Sequence, residues 1–252
     1  MSYLIETYFK MPLLSDGNSK IFSIEHILLS TIIICVLVVL LRTYKEKDGK
    51  SQRRLLLTLA VVIFSFEALR ALYMAIYQGF DLKAISFTSC AQTTLYLPLA
   101  IYFNKRWMYD FVLAPAIIGG VGAMLYPIDV FNDYPVFHII PVQSMITHGL
   151  FWFVITFLVI TKKYQPRIKN VKYAMLGGCT IALIAAVMSY INDANYTLMG
   201  SAEGIPIIGL FPFPFHIPVI ILIYFLIATV IFGIFEIIYL RNNIELENTF
   251  QN

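Results

Sequence analysis

Long runs of apolar residues, separated by short polar segments, are the dominant pattern in this chain. Seven of these runs approach or exceed the ~20 residues that a helix needs to cross a hydrocarbon core of ~30 Å. Because the lipid interior offers the backbone no water partner, the runs are predicted to be helices. They cover residues 21–41, 55–77, 85–103, 108–127, 137–161, 172–191 and 216–240. We find no internal repeat, and we expect residues 1–252 to form a single seven-helix transmembrane domain.

The composition agrees with this pattern. Hydrophobic residues make up 59% of the chain, charged residues only 13%, and the mean hydropathy is +0.77. A soluble domain of this length would carry about a quarter charged residues. The fold class is therefore an all-α membrane protein. The net charge of +3 does not indicate a nucleic-acid partner, because the basic residues lie in short loops between apolar runs.

The distribution of basic residues predicts how the chain lies in the membrane. Of the 18 Lys and Arg residues, 14 fall in alternate connections and the C-terminal tail, which would share one side. Because cytoplasmic loops carry an excess of Lys and Arg, that side is predicted to be cytoplasmic. The N-terminus would then lie outside and the C-terminus in the cytoplasm. The long connection at 192–215 would lie outside, where its apolar residues favour a lid over the bundle.

Of the three cysteines, Cys90 has the surroundings that suggest chemistry. Cys35 and Cys179 lie within apolar runs and are interpreted as small packing residues. Cys90 is followed by Gln92, Thr93 and Thr94, on a segment predicted to open toward the outer leaflet. A cysteine thiol can attack an ester and form a thioester when a nearby base accepts its proton. Histidine is the usual base for this step.

Polar residues within predicted transmembrane segments are costly and commonly functional. Glu67 and Arg70 lie three residues apart, on one face of the second helix, and are interpreted as a buried ion pair. His26, His138 and His216 lie near the ends of their segments, where a structural role suffices.

His148 lies deeper than the other histidines and is a candidate catalytic base. Its neighbour Gly149 would allow another helix to approach closely. The histidines lack the i, i+4 spacing of a helical metal-ligand pair, and we expect neither a metal nor a cofactor.

Several short motifs occur in an order that resembles a known family. They are Phe22-Ser23-Ile24-Glu25-His26, Glu67-Ala68-Leu69-Arg70, the third-segment cysteine, Thr147-His148-Gly149 and Asn195-Tyr196. Over residues 20–240 the chain resembles the YwaF family of bacterial integral membrane proteins, which is similar to the animal transmembrane protein 164 acyltransferases. Where that family usually has Leu-Pro-Leu-His-Leu-Cys, this chain reads Ile85-Ser86-Phe87-Thr88-Ser89-Cys90.

The resemblance implies a lipid-modifying acyltransferase of the cytoplasmic membrane, with Cys90 as nucleophile and His148 as base. The enzyme would move a fatty acyl chain between phospholipid-type molecules, and its site would open to the outer leaflet. The residues expected to bind the substrate are His26, Glu67, Arg70, Gln143, Asn192, Asn195 and Tyr196. Two alternatives remain open: a transporter or receptor-like protein that uses the same polar cavity, and a structural partner of another membrane protein.

Overall fold

The computed structural model describes residues 21–78, 85–127, 131, 134–200, 208–212 and 214–249. Within these ranges the chain forms seven α-helices and no β-strand. The helices are α1 (Ile24–Tyr44), α2 (Gly49–Gln78), α3 (Ser89–Phe103), α4 (Arg106–Leu125), α5 (Ile139–Ile160), α6 (Val171–Asn192) and α7 (His216–Thr249). Short 3-10 turns lie at Ile168–Asn170, Tyr196–Leu198 and Ile208–Leu210. The seven helices fall on the seven predicted segments.

The start of α2 lies at Gly49 and not at residue 55 as predicted, because a side chain caps the helix. The Asp48 carboxylate accepts hydrogen bonds from the backbone N–H of Lys50 (2.8 Å) and Ser51 (3.0 Å). These bonds satisfy donors that would otherwise lack partners in the first turn. The Ser51 hydroxyl also donates to this carboxylate, and its bond is the main cause that holds the pKa of Asp48 below its ordinary value. Arg53 and Arg54 therefore belong to α2 and not to the preceding loop.

Helix α3 is shorter than its predicted segment. Thr88 is in an extended conformation and its side chain accepts a bond from the Ala91 N–H, so the helix begins at Ser89. It ends where Asn104 adopts a left-handed conformation with φ of 50°. The 15 residues rise about 22 Å, which is less than a hydrocarbon core of ~30 Å. The other six helices have the length and composition of membrane spans.

The surfaces of these helices are unlike those of a soluble bundle. Large apolar side chains are exposed along α1, α2, α4, α6 and α7, including Ile24, Phe64, Val121, Leu183 and Ile234. Such a surface in water would favour aggregation, whereas lipid covers it at no cost. The buried share is 61% for the apolar window of α5 and 11% for that of α7, so α7 presents most of its surface outward. The chain is therefore a multi-pass membrane protein.

The chain divides into two compact units. Unit 1 contains residues 1–86 and 116–157, and unit 2 contains residues 87–115 and 158–252. The core of unit 1 includes the buried side chains of Leu29, Ile33, Ile63, Phe131, Met145 and Phe151. The core of unit 2 includes those of Leu97, Leu113, Ile181, Ala185 and Phe232. The expected single domain over residues 1–252 stays a prediction.

Glycine allows the helices of unit 2 to pack closely. A Cβ atom added at Gly177 of α6 would overlap the backbone carbonyl of Phe111 in α4. One added at Gly178 would overlap the ring of Tyr224, whose hydroxyl donates to the Ala174 carbonyl at 3.3 Å. The contact at Gly177 involves backbone, so only a shift of a whole helix could relieve it.

We therefore expect Gly177→Ala to destabilise the protein by about 1–3 kcal/mol through overpacking. Gly233→Ala in α7 is the matched control, because no atom of the described residues lies within 4 Å of an added Cβ there. Helix propensity favours alanine over glycine by ~1 kcal/mol, so the control should be neutral or stabilising. Thermal unfolding in detergent measures both variants. Equal midpoints would contradict the close contact between α4 and α6.

Candidate functional site

His148 lies in unit 1 with one ring nitrogen bonded and the other available. The side chain is only 8% exposed, and its Nδ1 lies 2.7 Å from the carbonyl oxygen of Ser144, one turn earlier in α5. Because a carbonyl oxygen only accepts, Nδ1 carries the proton and Nε2 carries the lone pair. Nε2 is buried and has no hydrogen-bond partner among the described residues. A buried lone pair held in this way can accept a proton from a substrate or a nucleophile.

Two glycines allow neighbouring helices to pack closely against the backbone around His148. A Cβ at Gly120 of α4 would lie 2.9 Å from the His148 carbonyl oxygen and 3.1 Å from Trp152. A Cβ at Gly149 would lie 2.9 Å from Ile33 of α1. The prediction that Gly149 admits a neighbouring helix is confirmed. Within unit 1, α1 and the second half of α4 both approach α5 next to the histidine.

Gln143 lies one turn before Thr147 on α5, and only part of its side-chain amide is hydrogen-bonded. Its Nε2 donates to the Thr147 hydroxyl at 3.2 Å, while its Oε1 is buried without a partner among the described residues. Gln143 also lines an apolar cavity of about 100 Å³, together with Phe66, Leu69, Arg70, Tyr73, Ile139 and Ile140. Two of the predicted substrate-binding residues, Arg70 and Gln143, therefore share a cavity.

Glu67 and Arg70 form the predicted ion pair on α2. The Arg70 Nε lies 3.1 Å from both carboxylate oxygens of Glu67, and Arg70 Nη2 bonds one of them as well. The side chains remain 21% and 17% exposed, so the pair is only partly buried. Because Arg70 also lines the cavity beside Gln143, the residues Glu67, Arg70 and Gln143 lie in one polar region of unit 1.

Arg70→Ala is expected to destabilise the protein, because it leaves the Glu67 carboxylate without its partner. Breaking a fully buried pair costs ~3–5 kcal/mol, and the partial exposure here favours a value near 3 kcal/mol. The double variant Glu67→Gln with Arg70→Gln should be milder, since no lone charge remains. Thermal unfolding in detergent gives the comparison. An Arg70→Ala protein with the midpoint of wild type would contradict a structural role for the pair.

The other three histidines lie at or next to the starts of α1, α5 and α7, as the sequence predicted, and all three are buried. His26 Nδ1 accepts from the Phe22 N–H at 3.1 Å, and its Nε2 lies 3.0 Å from the Met124 carbonyl. His138 stacks on Tyr134 with ring centroids 4.7 Å apart. His216 Nε2 lies 3.0 Å from the Leu198 carbonyl. Both nitrogens of His26 serve the fold, so its substrate-binding role stays a prediction.

Cys90 lies in unit 2 in the first turn of α3. The Thr88 cap makes it the second helical residue, whereas a helix that began at residue 85, as predicted, would place it ~8 Å inside. The backbone N–H of Ser89 donates to the Thr197 hydroxyl at 2.8 Å, which ties the start of α3 to the turn after α6. The Cys90 side chain is half-buried. It lies at the positive end of the helix dipole, which favours negative charge.

The predicted polar residues after α6 lie together in the same unit. Asn192 Nδ2 donates to the Tyr196 hydroxyl at 3.1 Å, and Asn195 Oδ1 accepts from the Gly200 N–H at 2.9 Å. The Tyr196 ring meets Phe87 edge-to-face, with centroids 5.7 Å apart. The turn therefore contacts the residues just before Cys90. Residues 201–207 and 213 lie outside the described residues, and the predicted lid remains a prediction.

Gln92 is a residue whose importance the sequence did not reveal. Its Nε2 donates to the carbonyl of Phe87 at 2.9 Å and to that of Ile181 at 3.0 Å, so it joins α3 to α6. Its Oε1 is buried without a partner in the described part of the chain. The Thr93 and Thr94 hydroxyls, in contrast, donate to carbonyls of their own helix. The carbonyl oxygen of the Gln92 amide is therefore available to a ligand near Cys90. The hydroxyl protons of Thr93 and Thr94 are already used in bonds within α3.

The prediction that Cys35 and Cys179 are packing residues is wrong. Both side chains are exposed on the apolar surface, because the faces of α1 and α6 that carry them point away from the core. Cys90 is the cysteine that lies partly buried. Cys90 and His148 belong to different units, and their pairing stays a prediction.

Comparison with known proteins identifies the family of this chain. The model of the TMEM164 family matches residues 21–236, which include every helix except the last part of α7. No curated protein and no solved structure matches the chain. Since the match extends over most of the sequence, this multi-pass membrane protein belongs to the TMEM164 family.

Proposed function

We propose that this protein is a lipid-modifying acyltransferase that transfers a fatty acyl chain between phospholipid-type molecules. The observation that carries the proposal is the state of His148. Its Nδ1 proton is held by the Ser144 carbonyl, and its buried Nε2 has no partner in the described part of the chain. A general base requires this arrangement, with an oriented ring and a lone pair that the fold has not used.

In the proposed reaction the Cys90 thiol gives its proton to Nε2 of His148 as its sulfur attacks an ester carbonyl of the donor lipid. The carbon–oxygen bond of the ester breaks, and the imidazolium returns the proton to the departing alkoxide. The acyl group remains on Cys90 as a thioester. A hydroxyl of the acceptor lipid then attacks this thioester while Nε2 takes its proton. The carbon–sulfur bond breaks, and the imidazolium returns the proton to the departing thiolate, which regenerates the thiol.

The position of Cys90 on its helix supports the proposal. Cys90 lies in the first turn of α3, near one end of that helix. The ester groups of phospholipids lie near the ends of the hydrocarbon core, where such a residue could reach them.

The remaining polar residues would bind and orient the lipid. Arg70 keeps N–H groups that could bind a headgroup phosphate, although Glu67 takes part of its capacity. Gln143 and Gln92 each offer an unused carbonyl oxygen for a lipid hydroxyl. Asn192, Asn195 and Tyr196 would line the opening beside Cys90. His26 would contribute only if one of its backbone bonds were exchanged for a bond to the substrate.

We place the protein in the cytoplasmic membrane with its N-terminus outside. Cysteines introduced at Lys47 and Asp193, in a background of Cys35→Ala with Cys179→Ala, test this orientation. We expect an impermeant thiol reagent to label position 193 but not position 47 in intact cells, because 14 of 18 basic residues favour the other side. The reverse labelling would contradict an outward-facing site.

The lipid profile of a deletion strain tests the function. Wild-type protein should restore the acyl composition that the deletion changes, whereas Cys90→Ala should not. Cys35→Ala should restore it, because that side chain lies on the exposed surface. Restoration by Cys90→Ala would contradict catalysis through this thiol. The polar regions would then be better explained by binding or transport.

A further inference from the structure

Two adjoining cavities lie at one end of unit 2, away from Cys90 along α3. One measures about 310 Å³ and the other about 340 Å³, and Arg106 lines both. Their walls come from the turn between α3 and α4 and from the connection between α5 and α6. Five basic side chains line them: Lys105, Arg106, Lys162, Lys163 and Lys169.

A buried carboxylate holds these two segments together. Asp110 of α4 is fully buried, and its Oδ1 accepts from the Tyr164 hydroxyl at 2.8 Å while its Oδ2 accepts from Asn170 Nδ2 at 2.9 Å. Burial, with the nearby Asp110 charge, raises the pKa of Tyr164 well above its ordinary value, so the phenol remains a donor. Arg106 Nη2 also donates to the Gln165 carbonyl at 2.7 Å. The cavities are therefore preformed by the fold.

The residues that line the cavities carry a large excess of positive charge. Asp110 is the one acidic residue among the described residues that line them, and both of its oxygens are engaged. None of the four lysines forms an ion pair with a described residue. Arg167, in the same connection, is different: it pairs with Glu236 at 3.6 Å and lies over the Tyr239 ring. Cations gathered in a concavity and left without partners favour an anion that carries several acceptors.

Aromatic residues indicate where that anion comes from. Trp107 lines the second cavity and is 47% exposed, and Tyr102 and Phe103 are exposed at the end of α3 just before it. Aromatic side chains of this kind concentrate at the boundary between hydrocarbon and headgroups. The cavities therefore lie at the level of lipid phosphates, with apolar surface beside them for acyl chains.

We propose that the two cavities form one binding site for the phosphate headgroup of an anionic phospholipid. The lysines and Arg106 would surround the phosphate, Trp107 and Tyr102 would contact the upper part of the chains, and Asp110 would act only as the support. The site is separate from the proposed acyl-transfer residues and does not depend on them. Basic pockets between transmembrane helices bind anionic headgroups in this way.

Trp107 provides a direct measurement, because the chain has only one other tryptophan, Trp152. In a Trp152→Phe background, purified full-length protein in micelles is titrated with phosphatidylglycerol or phosphatidylcholine that carry brominated chains. Bromine quenches a nearby indole. We expect phosphatidylglycerol to quench Trp107 at a lower mole fraction than phosphatidylcholine, and salt to weaken this preference.

Charge variants distinguish a specific binding site from a generally basic surface. Lys163→Gln with Lys169→Gln removes one lysine from each cavity and should reduce the preference by about fivefold per cation. Lys47→Gln with Lys50→Gln is the control, because these exposed lysines line neither cavity. Loss of the preference in the control as well, or its retention in the cavity variant, would overturn the proposal. Unchanged thermal midpoints show that both variants are folded.

A soluble phosphate is the other possible source of the anion. Glycerol phosphate, which shares the headgroup chemistry but lacks chains, is titrated alone and in competition with the lipid. We expect it to compete only weakly, because it makes no contact with the exposed aromatic surface. Displacement of the lipid at equal concentrations would overturn the lipid assignment. Competition that is weak and lost in the lysine variant would support it.

Discussion

Cys90→Ala is expected to abolish a thioester-linked acyl group that forms when the protein is incubated with phospholipid. In the proposed reaction the acyl chain is held on this sulfur between donor and acceptor, so no other residue can hold it. Cys90 has the position for this role, because it lies in the first turn of α3, next to the Ser89 bond to the turn after α6, and remains partly buried. The adduct should be released by neutral hydroxylamine, and intact-protein mass spectrometry measures it for several lipid classes.

Cys35→Ala and Cys179→Ala are the matched controls, and both should retain the adduct. Their side chains are exposed on the apolar surface, so neither substitution disturbs the core. Adduct formation on a protein without Cys90 would show that the acyl group is carried elsewhere or attaches nonspecifically. Loss of the adduct in all three variants would indicate a general requirement for thiols and would contradict the specific role of Cys90.

His148→Ala is expected to slow formation of the same adduct by ~10²–10⁴-fold, the usual contribution of a general base. The fold directs Nε2 toward this task, because Nδ1 is already bonded to the Ser144 carbonyl. The side chain bonds within its own helix, so its removal breaks no bond between helices. The rate of thioester formation at a fixed lipid concentration is the measurement.

Ser144→Ala is the control for His148. It removes only the hydroxyl, which lies 3.3 Å from Nδ1, and leaves the backbone carbonyl that holds the ring. We expect its rate to stay close to that of wild type. A His148→Ala protein as fast as wild type would exclude this residue as the base. A Ser144→Ala protein as slow as His148→Ala would show that the hydroxyl, and not the carbonyl, orients the ring.

The sequence by itself determined the class of protein and the number and approximate limits of its helices. These properties follow from local chemistry, because an apolar run near 20 residues can satisfy its backbone in lipid only as a helix. The ion pair of Glu67 with Arg70 was predictable for the same reason, since residues three apart share a helical face. So was the close approach at Gly149. The likeness to the TMEM164 family was also predictable from short motifs, and the family model matches residues 21–236, whereas the bacterial YwaF family stays a prediction.

Only the tertiary structure decided the features that depend on which residues meet. The start of α3 moved from 85 to 89 because Thr88 caps it and Thr197 accepts its first N–H bond. Cys35 and Cys179 are exposed. The sequence could not predict this, because a lipid-facing residue and a core residue both have apolar neighbours along the chain. The tautomer of His148 and the links from Asp110 to Tyr164 and Asn170 depend on bonding geometry that spacing alone does not define. In a membrane, hydrophobicity specifies that a helix forms, but contacts between helices specify which of its faces is buried.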